Sequence, residues 1–122
     1  MSRIVIHEPD PQHDESFALL ASKSADVVVC RNREALVDAL GVGRPDVLVY
    51  VLSNSTEDLG LLAQLRRVAP TLPIILLGGP TDLTSRRVFQ ELKPTYYGVF
   101  PLEDSELKDA VQGALHRADP RG

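Results

Sequence analysis

The chain predicts an α/β domain built on a parallel sheet with helices on both faces, and two observations carry that prediction. Four short β-rich runs, Ile4-Val5-Ile6, Val27-Val28-Val29-Cys30, residues 47–52 and residues 74–77, are almost continuously apolar. Strands that alternate polar and apolar residues are half-exposed, whereas continuous runs suit strands covered on both sides. Between the runs lie segments of helical periodicity joined by connections of two to six residues. A β-α order repeated five times implies a parallel sheet with right-handed crossovers.

The elements follow in order. The first helix is expected over about residues 12–22, with Phe17 and Leu20 turned inward. Asn32 suits the N-cap of a second helix carrying Ala35, Leu36, Ala39 and Leu40, which Gly41 and Gly43 end. A third helix presents Leu61, Leu62, Leu65 and Val68, and Ser55 with Asp58 three residues on is a variant of the capping box. Residues 83–92 form a fourth, less regular helix bounded by Pro94. A fifth strand, Tyr96-Tyr97-Gly98-Val99-Phe100, is weakened by its glycine. The last helix is the clearest: Leu107, Ala110, Val111, Ala114 and Leu115 make one apolar stripe, with Glu103, Asp104 and Glu106 at its start and His116 and Arg117 at its end. That charge order complements the helix dipole.

The 122 residues fit one domain, which at this size buries roughly two-thirds of its unfolded surface. The domain is expected over residues 1–118, with 119–122 a tail or the start of a linker; the helical pattern already fades at Arg117. No apolar run approaches the roughly 20 residues of a membrane span. The opening residues enter a strand at once without the layout of a signal peptide, so a cytoplasmic location is expected. Cys30 is the only cysteine, which excludes an internal disulfide and a cysteine-based zinc site. A formal net charge of -4 argues against nucleic-acid binding by this domain alone.

In open α/β sheets ligands bind at the carboxyl ends of the strands. The search for function therefore narrows to five loops: residues 7–10, 31–32, 53–56, 78–79 and 100–101. None holds a nucleophile–base pair, a Gly-rich loop of the Walker type or a metal-ligand cluster. An enzyme is not expected, and neither a metal nor a cofactor is.

The residues carry a resemblance over nearly the whole chain. Arg3-Ile-Val-Ile-His-Glu8-Pro-Asp10 looks like the first strand and acidic pair of bacterial response-regulator receiver domains. Arg44-Pro45-Asp46-Val47-Leu48-Val49 is similar to that family's lead-in to strand three, and Leu72-Pro73-Ile74-Ile75-Leu76-Leu77 to its fourth strand. Tyr97-Gly98-Val99-Phe100-Pro101 with Glu106-Leu107 resembles its fifth strand and last helix. The resemblance implies a flavodoxin-like (βα)5 three-layer sandwich, with five parallel strands in the order 2-1-3-4-5.

It also implies a phosphorylation pocket, and here the chain departs from the family. The residue in register with the phosphoacceptor aspartate is Val51. Of the two acids that hold Mg²⁺, the first is Glu8, the second is replaced by Pro9, and Asp10 follows one step late. Gly78 stands in place of the hydroxyl residue after strand four, and Phe100 in place of the lysine after strand five. Phosphoryl transfer rests on positioning and charge neutralisation, and Mg²⁺ on hard oxygen ligands. Shifting strand three by one residue offers only Tyr50 or Leu52, so the expectation of a pseudo-receiver survives a register error.

The reading that follows is a two-component signalling module that binds a protein partner, or itself, independently of phosphorylation. Its expected contact face is that of the fourth helix, fifth strand and fifth helix, with Arg86, Arg87, Gln90, Tyr97 and Lys108 as candidates, a face that the family uses. The alternative is a sensor of a small molecule or anion in the remodelled pocket, suggested by the hydroxyl-rich Ser53-Asn54-Ser55-Thr56. His7 and Cys30 read as packed residues, Gly78-Gly79-Pro80 as a turn, and Asp58 as a residue inside the third helix and away from the pocket.

Overall fold

A computed structural model describes residues 2–10, 14–21, 25–53, 55–79 and 83–118. Five β-strands alternate with five helices: β1 (Ser2–His7), α1 (Asp14–Ala18), β2 (Ala25–Cys30), α2 (Arg33–Val42), β3 (Val47–Val51), α3 (Ser55–Val68), β4 (Ile74–Gly78), α4 (Leu83–Gln90), β5 (Tyr96–Val99) and α5 (Asp104–Ala118). The strands form one parallel sheet in the order β2-β1-β3-β4-β5. This is the expected flavodoxin-like arrangement.

Each strand sends alternate side chains to opposite faces, and the core divides accordingly. Ile4, Ile6, Val47, Val49, Ile75 and Leu77 pack with Phe17 and Leu20 beside α1 and with Leu107, Val111 and Ala114 of α5. Val5, Leu48, Tyr50, Ile74 and Leu76 pack on the other side with Leu36 and Ala39 of α2, Leu61 and Leu62 of α3, and Phe89 of α4. Continuous apolar runs are what such double coverage demands.

The ends of the elements depart from expectation for local reasons. α1 is shorter than its pattern suggests: the Leu20 and Ala21 N–H groups reach back three residues to Phe17 and Ala18, tightening the chain out of the helix. The ends of the expected span, Gln12 and Ser22, lie outside the described residues. α2 runs past Gly41 to Val42 and ends at Gly43, the expected C-cap, where the Arg3 guanidinium donates to the carbonyls of Ala39 (2.8 Å) and Gly43 (2.7 Å). β5 stops at Val99; the Phe100 N–H still donates to the Gly78 carbonyl, but Pro101 has no N–H to continue. α5 carries the helix through Arg117 to Ala118, and residues 119–122 lie outside the described part.

The Gly98 that weakens β5 as a pattern is required by packing. A Cβ there would come within 2.9 Å of Leu77 Cδ2 and 3.2 Å of both Leu102 Cδ2 and Tyr96 Cε1. At the opposite end of the sheet, Arg66 ties the loop after α3 to the loop after α4. It donates to the carbonyls of Leu92 (2.9 Å), Leu72 (2.8 Å) and Pro70 (3.2 Å), and burial lowers its pKa.

Candidate functional site

At the carboxyl edge, β1 leads directly into His7 and Glu8. Glu8 is fully buried, and its N–H donates to the Cys30 carbonyl, which holds the loop against β2. Its Oε1 lies 3.0 Å from Nη1 of Arg31, the residue immediately after β2. Pro9 and Asp10 are exposed. The candidate acids are thus separated: one is buried against a guanidinium and the other faces solvent. Among the described residues no group of three or more His, Cys, Asp or Glu side chains gathers as a metal cage.

Val51 closes β3 on the α1/α5 side. It is half-buried and packs into the apolar cluster that also receives Phe100 and Leu102. Gly78 is buried beside Leu52, whose Cδ1 would stand 3.3 Å from a Cβ built at Gly78. A larger residue at position 78 would have to move Leu52. The mouth formed by Val51, Gly78 and Phe100 is therefore apolar, and the fold does bring these three strand ends together.

Polar groups collect on the other side of the same strand end. His7 and Tyr50 are paired across β1 and β3, and their rings stack with centroids 4.4 Å apart and 19° between planes. The Tyr50 hydroxyl donates to Asp58 Oδ1 at 2.8 Å, and the Ser53 N–H donates to Asp58 Oδ2 at 2.7 Å. Asp58 is 3% exposed. It lies inside α3 as expected, on the opposite side of the sheet from Val51, but its carboxylate turns toward the strand ends and organises them. Burial, then the bond to Asp58, raises the Tyr50 pKa well above its ordinary value. Burial likewise lowers the His7 pKa, opposed by the charge of Asp58. Nδ1 of His7 is buried with no hydrogen-bond partner among the described residues. The sequence pattern pairs Asp58 with Ser55 in a capping box, whereas the backbone partner found is the Ser53 N–H two residues earlier; the tyrosine was missed, and its signal was a polar ring inside an otherwise aliphatic strand.

The remaining candidates are spread. Ser53 and Thr56 are exposed, and Asn54 lies outside the described residues. Cys30 is buried, as expected of a small apolar residue. Arg87 and Gln90 of α4 and Lys108 of α5 are exposed, and Tyr97 of β5 is half-buried against the α2/α3/α4 side of the core. Arg86 belongs to α4, its side chain lying outside the described part. No helix among the described residues is long and apolar enough to cross a membrane.

No protein-family model matches the chain, and no curated protein matches it. Solved structures do. The receiver-domain protein (CheY-like) of Methanospirillum hungatei superposes with a TM-score of 0.85 at 14% identity, covering 100% of this chain and 99% of its own. A response regulator from Thermotoga maritima gives 0.84 at 14% identity over 95% of this chain and 98% of its own. A receiver domain from Clostridium thermocellum gives 0.76 at 18% identity, with 96% of both chains covered. At these identities the likeness speaks for architecture, and the architecture of this chain is that of the response-regulator receiver domain.

Proposed function

We propose that this chain is a pseudo-receiver: a signalling module that binds a protein partner, or a second copy of itself, without being phosphorylated. The observation that carries the reading is the apolar mouth at Val51. In register with the family's phosphoacceptor stands an aliphatic side chain packed in one cluster with Phe100, which takes the place of the balancing lysine. An acyl phosphate needs a carboxylate, and neither residue supplies charge or an oxygen ligand. The Glu8–Arg31 pair supports the same reading, because a cation at Glu8 would have to compete with a guanidinium already 3.0 Å away. On this reading the domain is not an enzyme and works without metal or cofactor. Its contacts run through the α4-β5-α5 face with Arg86, Arg87, Gln90, Tyr97 and Lys108.

Acetyl phosphate or beryllofluoride with Mg²⁺ is expected to leave the spectra and melting temperature of the protein unchanged. A Mg²⁺-dependent shift in either would overturn the proposal. Partner capture that is lost in Tyr97→Ala would place the contact on the α4-β5-α5 face; capture indifferent to it would move the contact elsewhere.

A further inference from the structure

Away from the strand ends, α2 and α3 flank a groove of about 740 Å³. Leu40, Leu61, Leu65 and Leu72 line it, and they belong to or pack against the core on this side. Val37 on α2 and Val68 on α3 are also part of the lining, yet they are 53% and 84% exposed. Open apolar side chains at the edge of an apolar trough offer a partner surface to bury.

The charges at the groove are of one sign. Among the described residues Arg33, Arg44 and Arg67 line it and no carboxylate does, although the chain as a whole carries 17 acidic residues against 13 lysines and arginines. The ion pair of Arg31 with Glu8 lies elsewhere. Arg44 donates to the Thr71 hydroxyl at 2.9 Å, which links the loop after α2 to the loop after α3.

The dimensions select the occupant. From Arg33 to Gly41 along α2, and from Leu61 to Val68 along α3, the walls run about 10–12 Å at 1.5 Å per residue. That is two turns of helix, enough for apolar anchors at i, i+3 or i+4, and i+7. A small molecule asks for a site that buries most of its surface, whereas half or more of each valine at this groove is open to solvent. A second copy whose two-fold axis passed through the groove would bring the arginines of both copies close together.

We infer that the α2–α3 groove is a docking site for an acidic amphipathic helix of a partner protein, with leucine-like anchors in the trough and carboxylates on the arginines. This surface is distinct from the α4-β5-α5 face, and the inference does not depend on the fate of phosphorylation at Val51.

The test uses the 122-residue protein and a dye-labelled 15-residue amphipathic peptide with leucines at i, i+3, i+4 and i+7 and glutamates flanking them, followed by fluorescence anisotropy. Saturable binding is expected, weakened at least tenfold when lysines replace the glutamates. Arg33→Glu and Arg67→Glu are each expected to weaken it about tenfold or more, and Val68→Ser several-fold. All three positions are exposed, and circular dichroism checks that the variants fold. Tyr97→Ala is expected to leave peptide binding intact, which separates this groove from the other face. The inference fails if the glutamate peptide does not saturate, if the lysine peptide binds equally well, or if the arginine variants bind as the parent does. It fails equally if decanoate, an anionic amphiphile, occupies the groove more tightly than the peptide. Dimerisation abolished by Val68→Ser would overturn it in favour of a second copy.

Discussion

Val51 and Tyr50 are neighbours at the end of β3, yet they face two different chemistries. On the α1/α5 side Val51 joins Phe100 in an apolar cluster. On the α2/α3 side Tyr50 stacks on His7 and donates to the buried carboxylate of Asp58. Because strand side chains alternate, one residue of register decides which environment a group enters. The comparison teaches that the carboxyl edge carries a hydrogen-bonded polar centre, on the face opposite the one where the receiver resemblance places phosphoryl chemistry. That centre ties β1, β3 and α3 together.

The largest expected effect comes from breaking the polar side. Asp58→Ala removes the acceptor of both the Tyr50 hydroxyl and the Ser53 N–H and leaves the hydroxyl buried without it. Urea denaturation should show a loss of about 2–4 kcal/mol. A loss below about 0.5 kcal/mol would mean that the network only decorates the strand end.

Val51→Asp tests the apolar side directly. A carboxylate set among Phe100 and Leu102 is expected to cost about 1–3 kcal/mol. It should not acquire Mg²⁺-dependent stability, since Pro9 and Phe100 still lack the oxygens and the cation. If Mg²⁺ raised the melting temperature of this variant, the mouth would be closer to a working receiver than its packing indicates.

The smallest effect is a pH dependence at His7. Burial holds its folded pKa below the ordinary value of about 6.5. As pH falls through that ordinary value the unfolded chain takes up a proton that folded His7 does not, so stability declines; below the folded pKa the decline from this group ends. His7→Phe keeps a ring for Tyr50 and has nothing to titrate. Its stability relative to the parent should therefore rise as pH is lowered below about 6.5, in urea melts at matched pH. Parallel curves for the two proteins would remove His7 as the source.

Much of the fold was legible because its signals are local. The Asn32 cap is a contact over three residues, its side chain accepting from the Ala35 N–H at 2.8 Å, and the apolar stripe of α5 needs only helical spacing. Arg3 and Arg66 were not legible. Their carbonyl partners lie up to 40 residues away in the first case and up to 27 in the second, and no pattern within a helix or strand announces them. At the candidate site the residues of the mouth could be named from the resemblance, while the arginine on Glu8 comes from the loop after β2, 23 residues away.

The amino-acid order alone determined that five apolar strands must be covered on both faces, and that no carboxylate or lysine stands at residues 51 and 100. Those are questions of composition and periodicity, settled before the chain folds. Tertiary structure decided how the charged residues are spent: Glu8 is buried against Arg31, Asp58 is turned to Tyr50, and three arginines gather along the groove between α2 and α3. The reason is physical. A charge taken out of water must find its partner in space, and only the packing of distant segments determines which partner is within reach.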